Sequence, residues 1–104
     1  MRPYKLSMTQ IAVNDLHEIS EYIAKELREP ETARSLVIKI KEAVMGLSEM
    51  PARYAFVADQ YLSSRGIRWL MVDRYIFFYL IDEEEFTVIV VRILYGKRNW
   101  KQFL

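Results

Sequence analysis

The spacing of apolar residues changes along this chain, and that change constrains the possible folds more than any other feature of the sequence. In the first half, apolar side chains recur every three or four positions within two stretches, residues 12–27 and 33–47. This spacing is typical of one face of an α-helix. Beyond residue 65, three runs are instead rich in β-branched and aromatic residues, which favour strands. The sequence therefore predicts two amphipathic helices followed by a sheet.

Turn-forming and helix-breaking residues locate the ends of these elements. Residues 4–8 alternate in polarity and predict a first strand, and Thr9 is a suitable N-cap for the first helix. Pro30 interrupts the helical pattern because proline lacks an N–H group, yet proline is well tolerated in the first turn of a new helix. Since the connection between them is so short, we expect the two helices to form an antiparallel hairpin.

The strand-like runs cover residues 67–72, 75–81 and 86–95. The connections between them are short enough for antiparallel hairpins, the second being the acidic cluster at residues 82–85. The predicted order is β-α-α-β-β-β, an α+β fold in which two helices pack on a mainly antiparallel sheet. At this length we expect a single domain over residues 1–104.

Residues 51–65 are interpreted as a loop. Its aromatic residues Tyr54, Phe56 and Tyr61 either cover the core or contact a partner, and we favour the first interpretation.

Alternation along the strands assigns side chains to the two faces of the sheet. One face receives Arg74, Ile76, Phe78 and Leu80, and the other receives Tyr75, Phe77, Tyr79 and Ile81. In the last strand, the same rule places Arg92 on one face with Val88, Val90 and Leu94. Burying an unpaired guanidinium costs free energy, so Arg92 either pairs with an acidic residue or opens onto a functional groove.

Several kinds of catalytic chemistry lack the residues that they need. The chain has no cysteine, which excludes thiolate nucleophiles, disulfides and cysteine-bound zinc. Its one histidine, His17, lies off the apolar stripe and is expected to be exposed, and with Glu21 it would supply only two metal ligands. The glycines stand apart, so there is no phosphate-binding glycine loop. We therefore expect no metal and no other cofactor.

The net charge is +1 at pH 7, but the charges are unevenly distributed. Residues 65–104 contain seven basic residues, and the 82–85 cluster supplies four of the five acidic residues there. Near the end, basic residues are interleaved with aromatic ones, a combination that suits a nucleic acid or a protein partner. We predict a contact surface formed by Arg92, Tyr95, Lys97, Arg98 and Trp100.

No apolar run approaches the roughly 18 residues that a membrane span requires. The N-terminal residues 1–5 are not followed by the apolar stretch of a signal peptide. We expect a cytoplasmic protein without a membrane partner.

Three segments in particular, together with the element order, resemble the RelE/ParE toxin superfamily. They are residues 50–54 (MPARY), 74–79 (RYIFFY) and 92–98 (RILYGKR). Members of this superfamily are toxins of type II toxin–antitoxin, or plasmid stabilisation, modules. The resemblance extends over essentially the whole chain. It implies a toxin that arrests growth until a cognate antitoxin, acidic and partly disordered in its C-terminal segment, wraps around it.

The resemblance leaves the target open. RelE-like members are ribosome-dependent endoribonucleases that cut mRNA without a metal, whereas ParE-like members poison DNA gyrase. If the chain is a nuclease, the resemblance implies catalytic roles for Arg98, which would stabilise the phosphate, and for Arg74 and Arg68. Segment 74–79 looks more like ParE than RelE. A low net charge also gives little attraction to ribosomal RNA. We therefore slightly favour DNA gyrase as the target. A third possibility is a non-toxic protein-binding module on the same fold.

Overall fold

The computed structural model describes residues 3–104. Residues 1 and 2, part of the N-terminal stretch 1–5 considered above as the start of a signal peptide, lie outside the described residues. The described chain contains strand β1 (Lys5–Met8), helices α1 (Gln10–Glu21), α2 (Pro30–Gly46) and α3 (Gln60–Ser64), and strands β2 (Arg68–Val72), β3 (Tyr75–Asp82) and β4 (Thr87–Tyr95). Single helical turns cover Tyr22–Glu26, Pro51–Arg53 and Trp100–Phe103.

The strands form one sheet in the order β1-β4-β3-β2, in which β1 is parallel to β4 and the other neighbours are antiparallel. The predicted α+β class and element order are confirmed. In the described part of the chain, no helix is long and apolar enough to cross a membrane.

Thr9 joins the start of α1 to the sheet. Its hydroxyl oxygen accepts a hydrogen bond from the Ala12 N–H at 3.1 Å, which confirms the predicted N-cap. The same hydroxyl donates to the Val91 carbonyl oxygen of β4 at 2.9 Å. One side chain therefore fixes both the end of the helix and its position over the sheet.

The first helix does not continue as an α-helix to its end. It changes at Tyr22 into a π-helical turn (Tyr22–Glu26, the π-turn), in which the Leu27 N–H donates to the Tyr22 carbonyl at 3.2 Å. The extra residue in this turn rotates the following residues by about 100° around the axis. Leu27, predicted on the buried stripe, is consequently 48% exposed, next to Tyr22 at 55%.

The sheet has an apolar core on each face. On the inner face, the helices cover Tyr75, Phe77, Tyr79 and Ile81 of β3. On the outer face, a smaller core joins Ile76, Phe78 and Leu80 to α3 and to the C-terminal turn Trp100–Phe103. The predicted faces of β3 are therefore confirmed.

The segment interpreted as a loop includes two short helices, at Pro51–Arg53 and in α3. Its aromatic residues do not cover the core: Tyr54, Phe56 and Tyr61 are 37%, 48% and 67% exposed. Val57 and Leu62 occupy the outer core instead, because the Asp59 cap of α3 turns the aliphatic side chains of this segment inward.

A β-bulge in β4 changes the predicted position of Arg92. Phe78 pairs with Arg92, but the next residue, Tyr79, pairs with Val90, so Val91 is an extra residue in β4. Such an insertion reverses the alternation of side chains beyond it. Val88 and Val90 therefore face the helices, whereas Leu94 and Val91 belong to the outer core. The prediction that Arg92 shares a face with Val88 and Val90 is wrong.

Arg92 pairs with a buried carboxylate, which is the first of its two predicted alternatives. Its Nε and Nη2 atoms donate to the two carboxylate oxygens of Asp15, each at 2.8 Å. Asp15 is 8% exposed and also accepts the Ile93 N–H at 3.0 Å. Arg92 Nη1 donates to the Phe103 carbonyl at 3.2 Å. The hydrogen bond to Asp15 raises the pKa of Arg92, and this pair links α1, β4 and the C-terminal turn.

Replacing Asp15 should therefore destabilise the protein severely. We expect Asp15→Ala to lower the free energy of unfolding by about 3–5 kcal/mol, because Arg92 would remain largely buried without its partner. Glu31, which forms an exposed ion pair with Arg34, is the matched control, and Glu31→Ala should cost less than about 1 kcal/mol. Urea unfolding followed by circular dichroism measures both. A loss below about 1 kcal/mol in Asp15→Ala would contradict this assignment.

Tyr79 anchors the sheet to the turn that follows α2. Its hydroxyl donates to the Pro51 carbonyl at 2.6 Å, and burial raises its pKa from 10.0 to about 12. Folding therefore favours the protonated phenol, so this contribution to stability is complete below pH 10 and is lost as the pH rises towards about 12.

We expect Tyr79→Phe to flatten the decline in stability between pH 10 and about 12. The variant should also lose about 1–3 kcal/mol at neutral pH, because the Pro51 carbonyl loses its donor. Urea unfolding at a series of pH values measures both effects. Parallel curves for wild type and Tyr79→Phe would show that the Tyr79 phenol does not cause the alkaline decline.

Candidate protein-binding surfaces

The three arginines predicted for nuclease chemistry are not gathered in one place. Arg68, at the start of β2, pairs with the inward-facing Tyr79, and its Nη1 donates to the carbonyls of Tyr54 at 2.6 Å and Ala52 at 3.3 Å. Its guanidinium carbon also lies 3.9 Å from the centre of the Phe56 ring. Arg68 is therefore occupied in holding the segment before α3 along the edge of the sheet, where Phe56 forms an antiparallel bridge with Arg68.

Arg74 and Arg98 lie elsewhere. Arg74 is in the turn between β2 and β3, beyond the opposite end of β2 from Arg68, and the four residue steps of β2 alone span about 14 Å. Arg98 lies over the Phe103 ring, at 4.1 Å, on the outer side of the sheet. The length of β2 thus separates Arg68 from Arg74, and also from Arg98, because Gly96 just before Arg98 is hydrogen-bonded to the Arg74 carbonyl.

The histidine and the acidic residues of the described chain do not gather into a metal-binding group. His17 is exposed on α1, as predicted. Residues 3–104 contain no group of three or more histidine, aspartate or glutamate side chains that could hold a metal ion.

The residues predicted to form one contact surface are divided between two. Arg92 is committed to Asp15, with 19% of its side chain exposed. Trp100 and Arg98 belong to the outer face, where the Trp100 ring lies 5.2 Å from that of Phe78. Tyr95 and Lys97 are exposed at the end of β4, near the turn that contains Arg74.

The outer-face surface contains a small apolar pocket of about 230 Å³. It is lined by Val57, Ala58, Trp69, Ile76, Phe78 and Trp100. Trp69 is 39% exposed, and the neighbouring edge-strand residue Met71 is 51% exposed. Large apolar side chains that remain exposed side by side are typical of interaction surfaces.

The second surface is a groove of about 520 Å³ between the π-turn and the ends of β3 and β4, which we call the tyrosine groove. Its lining consists of Glu18, Ile19, Tyr22, Leu27, Arg74, Tyr75 and Tyr95. The Tyr75 and Tyr95 rings meet edge to face at 5.8 Å. Burial, together with the nearby Tyr95 and Tyr22, raises the pKa of Tyr75. The groove continues into a second cavity of about 330 Å³ that shares Leu27, Arg74 and Tyr75.

Gly96 holds the end of β4 close to the Arg74 turn. The Gly96 N–H donates to the Arg74 carbonyl at 2.8 Å, and a Cβ atom here would lie 3.2 Å from that oxygen. The glycine thus allows the close approach that brings Tyr95 and Arg74 to one groove.

Two important residues were missed by the sequence analysis. Asp15 lies within the apolar stripe, three residues after Ala12 and four before Ile19, and this spacing was the available signal that a carboxylate would be buried. Tyr22 had no comparable signal, because nothing in the sequence indicates that it lines a groove with Tyr75 and Tyr95.

The family model described as "ParE toxin of type II toxin-antitoxin system, parDE" matches residues 6–100. The chain belongs to the ParE toxin family. It is therefore a toxin of a type II toxin–antitoxin module. The predicted resemblance to the RelE/ParE superfamily is confirmed. A comparison with curated protein sequences gives no significant match.

Solved structures of toxin–antitoxin systems share this fold. The chromosomal ParDE system of Pseudomonas aeruginosa contains a chain that is 22% identical, with a TM-score of 0.73 and coverage of 90% of this chain and 97% of that one. The RelBE2 complex of Mycobacterium tuberculosis gives 25% identity, a TM-score of 0.64, and coverage of 91% and 93%. The intact RelBE complex of Escherichia coli gives 13% identity, a TM-score of 0.60, and coverage of 91% and 99%.

The different environments of Arg98 and Arg92 lead to a testable difference between two arginine substitutions in this ParE-family toxin. Arg98→Ala removes an exposed side chain that contacts the Phe103 ring, so we expect a stability loss of no more than about 1 kcal/mol. Arg92→Ala leaves Asp15 buried without its cation and should cost about 3–5 kcal/mol. Thermal unfolding compares the two, and equal losses would contradict the distinction between an exposed arginine and a structural one.

Proposed function

We propose that this toxin arrests growth by binding DNA gyrase, without cutting RNA, and that a cognate antitoxin neutralises it. The observation that supports this choice best is the separation of Arg68 from Arg74 and Arg98. RNA cleavage through the ribose 2′-OH requires a proton acceptor, a proton donor and positive charge within hydrogen-bond reach of one phosphodiester. With Arg68 at one end of β2 and Arg74 and Arg98 near the other, the three side chains do not meet that requirement.

The chemistry of the individual groups supports the same choice. Arg68 occupies the position that the resemblance assigns to a lysine, and a guanidinium is a poor general base because its pKa lies above about 12. Its Nη1 atom already donates to two carbonyl oxygens. Arg98 is exposed, and of the three arginines it is the one that the resemblance implies as a phosphate-stabilising residue. One cation without a general base is insufficient for RNA cleavage.

The family match and the charge provide further support. Residues 6–100 match the ParE toxin family. The resemblance of this chain to ParE-like toxins implies DNA gyrase as the target. The net charge of +1 gives little long-range attraction towards ribosomal RNA. An exposed surface rich in tyrosine, tryptophan and arginine is well suited to a protein target.

The antitoxin part of the proposal rests on the solved relatives, two of which are toxin–antitoxin complexes. We propose that an antitoxin with an acidic, partly disordered C-terminal segment binds this chain in a similar way. Tyr95, Lys97, Arg98 and Trp100 are its proposed contacts, whereas Arg92 contributes by holding the C-terminal turn in place through Phe103.

A ribosome-dependent endoribonuclease is the second candidate. It is favoured by the 25% identity to a chain of the RelBE2 complex and by the position of Arg98 in the Gly96-Lys97-Arg98 segment.

A non-toxic binding module on the same fold is the remaining alternative, and growth arrest on expression would exclude it.

Two assays on the purified toxin distinguish the candidates. We expect the toxin to inhibit supercoiling of relaxed plasmid by DNA gyrase, and to leave ribosome-bound mRNA intact in a purified translation reaction. Addition of the antitoxin should restore supercoiling. Cleavage of the mRNA together with normal gyrase activity would overturn the proposal in favour of the nuclease.

The variant Arg98→Ala adds a control within these assays, because it should fold normally. If Arg98 contacts gyrase, this variant should inhibit supercoiling less effectively than wild type at equal concentration. Unchanged inhibition would remove Arg98 from the target surface without affecting the choice of target.

A further inference from the structure

The apolar pocket on the outer face, which we call the outer pocket, lies beside a partly covered edge of the sheet. β2 is the last strand in the sheet order. The segment before α3 covers its edge as far as Trp69, whose N–H donates to the Ala55 carbonyl at 3.2 Å. Backbone groups two residues apart in a strand point the same way, so Met71 directs its N–H and carbonyl to this edge beyond that bond. An extended segment of another protein that pairs there would lie beside the pocket.

The outer pocket has the size of one apolar side chain. Its volume of about 230 Å³ is below the roughly 300–1,000 Å³ of sites for small molecules. Met71 extends the apolar surface across the sheet, since its Cε atom would lie 3.3 Å from a Cβ atom on Gly96. The apolar surface therefore reaches the basic residues that follow Gly96.

The charged residues next to this apolar surface are mainly basic. Lys97 and Arg98 are exposed immediately after Gly96, and in the described chain neither forms an ion pair. Lys101 is paired with Asp59 at 3.7 Å. Two cations thus remain for a partner to neutralise.

Other acidic residues along β2 and β3 do not offset this charge. Asp73, in the turn between the two strands, pairs with Lys39 of α2 at 3.4 Å, and Arg74 follows it. The acidic cluster begins at Asp82, four residue steps along β3 from Phe78, or about 14 Å away. The positive surroundings favour an acidic partner over a second copy of this chain, because a second copy would bring the same cations face to face.

From these observations we propose that the toxin binds DNA gyrase at the outer pocket. The gyrase segment lies extended along the open edge of β2, inserts one aliphatic or aromatic side chain between Trp69 and Trp100, and carries acidic residues opposite Lys97 and Arg98. The naming of gyrase rests on the proposed function, whereas the chemistry of the segment follows from the pocket and its charges. The apolar lining suits a hydrophobic side chain better than a phosphate, so the partner is the enzyme rather than its DNA.

Inhibition of gyrase supercoiling by the full-length toxin tests the pocket. Ala58 is exposed and lines it, so Ala58→Phe should fill the pocket, and Trp69→Ala should remove one of its walls. We expect each variant to need about tenfold more toxin than wild type for half-maximal inhibition, the loss expected at an interface hot spot. Tyr61 is 67% exposed outside the pocket, and Tyr61→Ala, the matched control, should inhibit as wild type does.

Substitutions at Met71 test the charge of the partner. Met71→Glu should weaken inhibition about tenfold and Met71→Lys should not, because only the first places a negative charge against an acidic segment. The difference should shrink with added salt. Met45, an exposed methionine of α2, provides the control, and Met45→Glu should have no effect. Equal effects of the two substitutions at Met71 would contradict an acidic partner.

A photo-cross-linker at the edge of β2 identifies what covers the pocket. With Met71→benzoylphenylalanine, we expect cross-links to a gyrase subunit, within a peptide in which acidic residues flank an apolar one. Cross-links to the DNA, or between two copies of the toxin, would overturn the inference. Thermal unfolding identifies any variant that does not fold. Ala58→Phe and Met71→Glu, both at exposed positions, keep the test independent of Trp69.

The wild-type toxin separates this inference from the proposed function. If wild type does not inhibit gyrase, the target and the gyrase assignment of the pocket are both wrong. If wild type inhibits and Ala58→Phe and Trp69→Ala inhibit equally well, the pocket is not the docking site, although gyrase remains the target. Weaker antitoxin binding by these variants with unchanged inhibition would assign the pocket to the antitoxin and overturn the inference.

Discussion

The ion pair between Asp15 and Arg92 is the interaction on which the arrangement of this toxin depends. A carboxylate with little exposure would be unfavourable by itself, but here it accepts three hydrogen bonds, two from Arg92 and one from the Ile93 N–H. The pair fixes α1 against β4, next to the bulge at Val91. Through the Phe103 carbonyl, the same guanidinium also sets the position of the C-terminal turn on the outer face.

The sequence was sufficient for much of the fold because its local signals agree with the packing. The two helical stripes, the Thr9 cap, Pro30 and the alternation along β3 each correspond to an observed feature, since each depends on a period or a backbone preference that neighbouring residues reveal. The π-turn and the β4 bulge escaped prediction because each inserts one residue without a glycine or proline to mark it. Both insertions change which side chains share a face, so the candidate surfaces were predicted less well than the fold.

The positions of the predicted site residues show why the surfaces were predicted less well than the fold. Tyr95 and Lys97 are exposed near Arg74, and Arg98 and Trp100 lie on the outer face, although in the sequence they appear as one basic and aromatic segment. The sharp connection after β4 divides them, and a linear segment carries no information about such a division. Asp15 could have been found, because a charged residue at a core position of an amphipathic helix requires a buried partner.

The parallel pairing of β1 with β4 makes the sheet depend on both ends of the chain. Thr9 contacts Val91 across 82 positions and Asp15 contacts Arg92 across 77. Contacts so distant in sequence slow folding, because the long intervening loop must close before they form. During translation, neither contact can form until Val91 and Arg92 have left the ribosome. The first helix must therefore wait for the last strand of the sheet before it reaches its final position.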